Sequence, residues 1–207
     1  MTQRRPWARA TLEDYRRLGL RAHTLLADVP VLDVWRVTLP GRDPALTMHD
    51  VRGVFTGAMP SGSLGPAVRA LFGMRRLLGR VFRWDAGSGD PATWSFRARL
   101  TDVDRQSSTV EPGTLDGPFA VLYVHPSEAV SEIRNATVHG FLVWALAPAP
   151  DGHQLYWAIH VLPVGRWTRP YLALIGPFRR LLVYPSLLRR MHEAWCNRTA
   201  RNPSPGT

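Results

Sequence analysis

The sequence contains no lysine. All 26 of its basic residues are arginine, set against 16 acidic residues, which gives a formal charge of +10 over 207 residues. A basic balance of this size is a usual footprint of phosphate or anionic-lipid partners. Here the arginines are scattered along the chain and form no basic run of the kind that makes a binding arm, so nucleic acid is not expected as the main partner. The wholesale use of Arg for Lys reads as codon bias of a GC-rich genome. Cysteine is nearly absent as well. Cys196 is alone, so no internal disulfide can form, nothing points to an oxidising compartment, and the thiol reads as incidental. The N-terminal stretch has basic residues but no apolar core of a signal peptide, so a cytoplasmic location is expected. Apolar runs are interrupted by Arg pairs and stop short of the roughly 20 residues that span a bilayer. The seven histidines are dispersed, with no HExxH and no His/Cys cluster. GxSxG, GxGxxG and P-loop patterns are missing too. No metal and no cofactor are expected.

What is present is periodicity. Thr11 to Ala27 reads as a short helix capped by Thr11, with Glu13 and Asp14 in its first turn. Val31 to Leu39 alternates as a strand, with Asp33, Trp35, Val37 and Leu39 on one face. Thr47 to Thr56 and Pro66 to Trp84 read as helices. Asp85 to Pro118 is rich in Gly, Pro, Asp, Ser and Thr; it reads as a flap or insertion near a pocket mouth, with Trp94 to Leu100 as a candidate strand. Then come Phe119 to His125, Glu132 to Ala147 (one long strand or two) and Leu155 to Leu162, with Asp151-Gly152 as a hairpin signal. Trp167 to Trp195 places Trp167, Tyr171, Leu174, Phe178, Leu181, Leu188, Met191 and Trp195 on one helical stripe. Pro177 and Pro185 each remove a backbone hydrogen bond, so this helix should bend or break into pieces.

The order is strand, helices, antiparallel strands, then one long helix. It implies an α+β fold: a curved antiparallel sheet around a C-terminal helix, the helix-grip plan of START/SRPBCC-like proteins. Residues 1–28 are expected as an N-terminal helical extension, 29–200 as the single domain and 201–207 as a disordered tail. Three segments, Ala70 to Asp85, Glu132 to Trp144 and Leu155 to Arg190 (with PFRR at Pro177 and VYPSLLRR at Val183), resemble DUF2867, a bacterial family of unknown function. The resemblance implies the helix-grip fold and supplies no catalytic residue.

The function expected on this fold is binding of a small hydrophobic or amphipathic ligand in an internal cavity. Its wall would carry Trp35, Phe141, Trp144, Tyr156 and Trp157, closed by the Leu174 and Phe178 side of the last helix. Arg134, His139 and His160 are the polar candidates among these apolar strands. A buried arginine needs an anionic partner: Glu128, Glu132 or a ligand carboxylate for Arg134 or Arg180. Two alternatives stand beside this reading. One is a cyclase- or aromatase-type enzyme using His139 or His160 as general base. The other is a peripheral membrane or protein-docking module, with weak membrane-surface contact, using the Arg/Trp face of the last helix.

Overall fold

Alternating side chains send successive strand residues to opposite faces of a sheet, so a strand apolar at every position needs cover on both sides. The long strands here carry apolar side chains on both faces and so need the same double cover. The computed structural model describes residues 5–58, 90–135, 137–166 and 168–201. The helix expected over Pro66 to Trp84, Trp167 and the tail from Asn202 lie outside them.

The strands β1 (Trp7–Arg9), β2 (Val31–Pro40), β3 (Leu115–Asp116), β4 (Phe119–Val124), β5 (Glu128–Arg134), β6 (Val138–Ala149) and β7 (Gly152–Pro163) form one antiparallel sheet in the order β1-β2-β7-β6-β5-β4-β3. β3 to β7 run as a meander. β2 then pairs with the last strand, so the first long strand closes against the end of the meander. Glu132 to Ala147 resolves into two strands, β5 and β6, because Asn135 turns the chain: its side-chain oxygen accepts from the backbone N–H groups of Thr137 and Val138.

Each sheet face has its own cover. On one, Val37, Leu39, Leu155 and Trp157 meet Met48, Val51 and Phe55 of α3 (Met48–Ala58) and Leu188, Met191 and Trp195 of α7 (Tyr184–Arg201). The α7 residues are spaced by three and four, one inward stripe. His192 and the indole N–H of Trp195 fasten α7 to the backbone carbonyls of Thr38 and Pro40 at 2.8 Å each. On the other face, Val34, Phe141, Val143, Tyr156 and Ala158 meet Tyr15 of α1 (Leu12–Arg16), Ala22 and Leu25 of α2 (Arg21–Leu25), and Phe96 and Leu100. A bulge between Val121 and Tyr123 puts Leu122 and Tyr123 on this same side.

Three expectations change. Thr11 to Ala27 is two helices, α1 and α2, separated at Gly19, whose φ of 61° is left-handed. Trp94 to Leu100 is helical instead of a strand: α4 (Pro91–Trp94), then a 3₁₀ turn (Phe96–Arg99) and α5 (Asp102–Gln106). The reason is capping. Asp90, Ser95 and Thr101 each accept a hydrogen bond from a backbone N–H of the turn that follows, which favours short helical turns over an extended chain. This stretch is a packed cover on the sheet, with Phe96 and Leu100 buried. The last helix is continuous from Thr168 to Arg201 but changes pitch. α6 (Thr168–Phe178) passes into a π turn (Arg179–Val183) before α7. Pro177 and Pro185 flank that turn, and the Tyr184 N–H reaches back five residues to the Arg179 carbonyl.

Candidate functional site

Strand register lines up three of the expected pocket residues. Trp157 on β7 stands opposite Trp35 on β2 and opposite Trp144 on β6, so the three indoles form one row across adjacent strands. Trp144 and Trp157 stack at 5.5 Å, Trp35 meets the Tyr184 ring edge-on at 5.8 Å, and Phe55 meets Trp144 at 5.8 Å. Leu187 and Leu188 of α7 close the layer above Trp35 and Trp157, and the gap they leave is too small for a water molecule. Yet the indole N–H groups of Trp35, Trp144 and Trp157 and the hydroxyl of Tyr184 are all buried with no partner among the described residues. Burial, outweighing the nearby Arg179 charge, pushes the Tyr184 phenol well above its usual range, so it keeps its proton and remains a donor.

Beside this row sits a charged cluster. Asp33 has no exposed side-chain surface and accepts from Arg179 at 3.0 Å and Arg180 at 2.8 Å, with Arg9 3.8 Å away. The partner of Arg180 is therefore Asp33. The Arg179 Nε lacks a partner among the described residues, and the guanidinium lies 5.6 Å from the Tyr184 ring centre.

Four other expected residues fall on the opposite face. Phe141, Tyr156, His139 and His160 lie on the side covered by α1, α2 and the 90–106 stretch, so the sheet separates them from the tryptophan row. His139 is 2% exposed; its Nε2 lies 2.9 Å from Glu132, and its ring is wedged among Trp94, Phe96 and Phe141. The Ser95 hydroxyl and the Phe96 N–H also donate to Glu132. Arg134 lies over the Trp94 ring at 5.5 Å, so its contact is a cation–π contact at the sheet edge. Leu174 is 61% exposed and Phe178 half-buried.

His160 faces a cleft of about 470 Å³ lined by α1, α2, the Ala27–Pro30 connection and the start of β2. Its Nδ1 lies 3.2 Å from the Val29 carbonyl, which makes it the protonated nitrogen, so Nε2 accepts the Tyr15 hydroxyl at 3.0 Å. Burial lowers the pKa of His160. Tyr15 and His23 line the same cleft, and neither stands out in the sequence. They sit on short helices, and only the tertiary packing of those helices brings them to β7. Cys196 has an imidazole beside it: His192 precedes it by one helical turn, with Nε2 3.5 Å from Sγ. Burial raises the thiol pKa, so this contact does not make a reactive thiolate. Among the described residues, no group of three or more His, Cys, Asp or Glu side chains gathers around a metal-sized space. None of the described helices is long and apolar enough to cross a membrane.

No curated protein matches the chain. The family described as a protein of unknown function, DUF2867, matches residues 25–186, which takes in β2 to β7, the tryptophan row and the Asp33–Arg179–Arg180 cluster, and the chain belongs to that family.

Proposed function

We propose that the protein binds a small amphipathic ligand between the sheet and its C-terminal helix, as in a helix-grip, START/SRPBCC-like arrangement. The pairing of β2 with the last strand and the long helix laid on the sheet support that fold reading. One observation carries the functional part: three indole N–H groups and one phenol hydroxyl, from four residues of one layer, are buried without acceptors among the described residues. An unsatisfied buried donor costs about 1–3 kcal/mol, and native structures keep few of them. A ligand with an apolar body and acceptor oxygens would satisfy several at once. Room and access would come from movement of the helix at the π turn, where Pro177 and Pro185 remove backbone hydrogen bonds, once the Asp33–Arg179–Arg180 contact opens.

The test is native mass spectrometry of the purified protein, with mass analysis of an organic extract, on the wild type and on Trp157→Phe. Phenylalanine keeps the apolar wall and deletes one donor. A co-purifying molecule that is lost or reduced in the variant supports the reading. A wild type that carries no ligand and shows no Trp fluorescence change with fatty acids, sterols or aromatic polyketides argues against it.

A second reading rests on a separate observation. Leu174, Leu181 and Leu182 are 61%, 74% and 50% exposed on α6 and the π turn, with the exposed Arg169 on the same helix. Leucine beside arginine suits weak contact with an anionic membrane surface. Co-sedimentation with phosphatidylserine vesicles that disappears in Leu181→Ser is the expected outcome; binding unaffected by that change or by salt counts against it.

A further inference from the structure

The cleft on the opposite face is not explained by a ligand under the C-terminal helix. Its volume of about 470 Å³ lies within the range of small-molecule sites. Its apolar wall is Leu26, Ala27, Val29, Pro30 and Val31. The polar groups divide by whether they are already engaged. The Tyr15 hydroxyl and both nitrogens of His160 are used up in the Tyr15–His160–Val29 chain. Asp28 receives both guanidinium nitrogens of Arg99 at 2.6 and 2.9 Å, which neutralises the carboxylate in the cleft wall. What is left is His23 and Arg16. His23 lines the cleft, packs edge-on against Tyr15 at 4.7 Å, and its Nε2 has no hydrogen-bond partner among the described residues. Arg16 is an exposed cation on the same rim, near enough for its charge to help lower the His23 pKa.

We propose that this cleft is a second small-ligand site, taking an apolar molecule that ends in a single carboxylate, with His23 and Arg16 holding the carboxylate and the Tyr15–His160 pair forming the floor. A single carboxylate fits better than a phosphate because, among the described residues, the rim supplies one uncommitted guanidinium and one imidazole, while Asp28, Tyr15 and His160 are already engaged. The site lies on the other side of the sheet from the tryptophan row, so it stands or falls separately from the reading above. It also carries a pH signature. His23 is held neutral by burial first and the Arg16 charge second. An arriving carboxylate opposes both effects and favours the imidazolium. Binding should therefore take up a proton and tighten as the pH falls. The other charged or titratable groups facing His23 are Arg16 on α1, Tyr15 on α1 and His160 on β7, with Asp28 committed to Arg99.

Calorimetric titration of the full chain with benzoate and hexanoate, at pH 5.5 and 7.5 in buffers of different ionisation enthalpy, tests this, with benzamide and hexanamide as neutral isosteres. Expected are at least one carboxylate binding about tenfold tighter than its amide, tighter binding at pH 5.5 with proton uptake, and loss of the preference in Arg16→Gln. His23→Gln should weaken binding and abolish the pH dependence. Arg16 is exposed, so its variant folds and remains informative even where a substitution at His23 perturbs packing. Absence of binding by both carboxylates, amides binding as well as the acids, or an Arg16→Gln variant that binds like wild type would each overturn the proposal.

Discussion

At the scale of single residues, two positions set clear limits on what the chain tolerates. Gly152 opens β7 at φ 141°, and a Cβ there would run into the carbonyl oxygen of Leu39 and stand 2.8 Å from that of Gly41. Both neighbours are backbone, so nothing swings aside. Gly152→Ala should cost about 2–4 kcal/mol through the strained φ and the clash together, measured as a lower denaturant midpoint. Asp33 is the second. Its carboxylate has no exposed surface, while the Arg179 side chain is 10% exposed and Arg180 41% exposed. Asp33→Asn leaves a buried guanidinium without a counter-charge and should cost about 3–5 kcal/mol. Arg180→Gln removes only a half-exposed partner and should cost about 1 kcal/mol or less. Equal losses in the two variants would show that the buried pair is not what holds the π turn to β2.

At the scale of elements, the short N-terminal helices are held by carboxylates. Glu128 of β5 accepts from the backbone N–H groups of Arg21 and Ala22, capping α2 from outside. The Arg21 side chain then forks onto Asp104 of α5 at 2.8 Å through two nitrogens. That hydrogen-bonded pair, helped by the Thr101 N–H and opposed by burial, holds the Asp104 carboxyl well below the usual carboxylate range. A carboxylate with a depressed folded pKa stabilises the fold above its unfolded pKa, and the contribution is lost as the pH drops through and below that value. The wild type should therefore lose stability between about pH 5 and pH 2, and Asp104→Asn, already weaker at pH 7, should lose less over that range. Guanidinium titrations at pH 7, 5 and 3 decide it; parallel slopes for the two proteins would rule this pair out as the acid-sensitive contact. None of this latch is legible in the sequence, because Arg21, Asp104 and Glu128 are far apart in the chain. What is legible is local. Alternation places Trp35, Trp157 and Leu155 on strand faces, and the period places Leu188, Met191 and Trp195 on one stripe. The alignment of Trp35, Trp157 and Trp144 in one row depends on strand register, which periodicity alone does not reveal. The 90–106 stretch fails the other way. WSFRARL looks extended by composition, but the caps at Asp90, Ser95 and Thr101 make it helical.

At the scale of the whole molecule, the sheet is a double-sided core, and each side depends on cover from a different end of the chain. The C-terminal helix and α3 seal the tryptophan row; α1, α2 and residues 90–106 seal the face carrying Phe141, Tyr156 and His160. Residues before Val29 are built into this arrangement. Trp7 to Arg9 add the edge strand β1 beside β2, Tyr15 is 1% exposed and Ala22 fully buried, and the Ala10 N–H bonds the Val34 carbonyl. Removing residues 1–28 would uncover Val34, Phe141, Val143 and Ala158 together and leave Asp104 and Glu128 as carboxylates without their partners on α2. Four apolar side chains exposed at about 1–2 kcal/mol each already approach the total stability of an ordinary domain, and two abandoned carboxylates add to the loss. A chain starting at Val29 should therefore keep its strand signal in far-ultraviolet circular dichroism, lose its near-ultraviolet tryptophan bands and bind a hydrophobic dye, the signature of a collapsed but unpacked state. If instead the shortened protein unfolds cooperatively with a midpoint close to the full chain, the N-terminal helices are an appendage and the tryptophan-side core alone carries the fold. The same sample then separates the two candidate sites, since truncation deletes Arg16 and His23 but leaves Trp35, Trp144 and Trp157 in place: a packed truncated chain should lose benzoate binding while retaining any ligand held beneath the C-terminal helix.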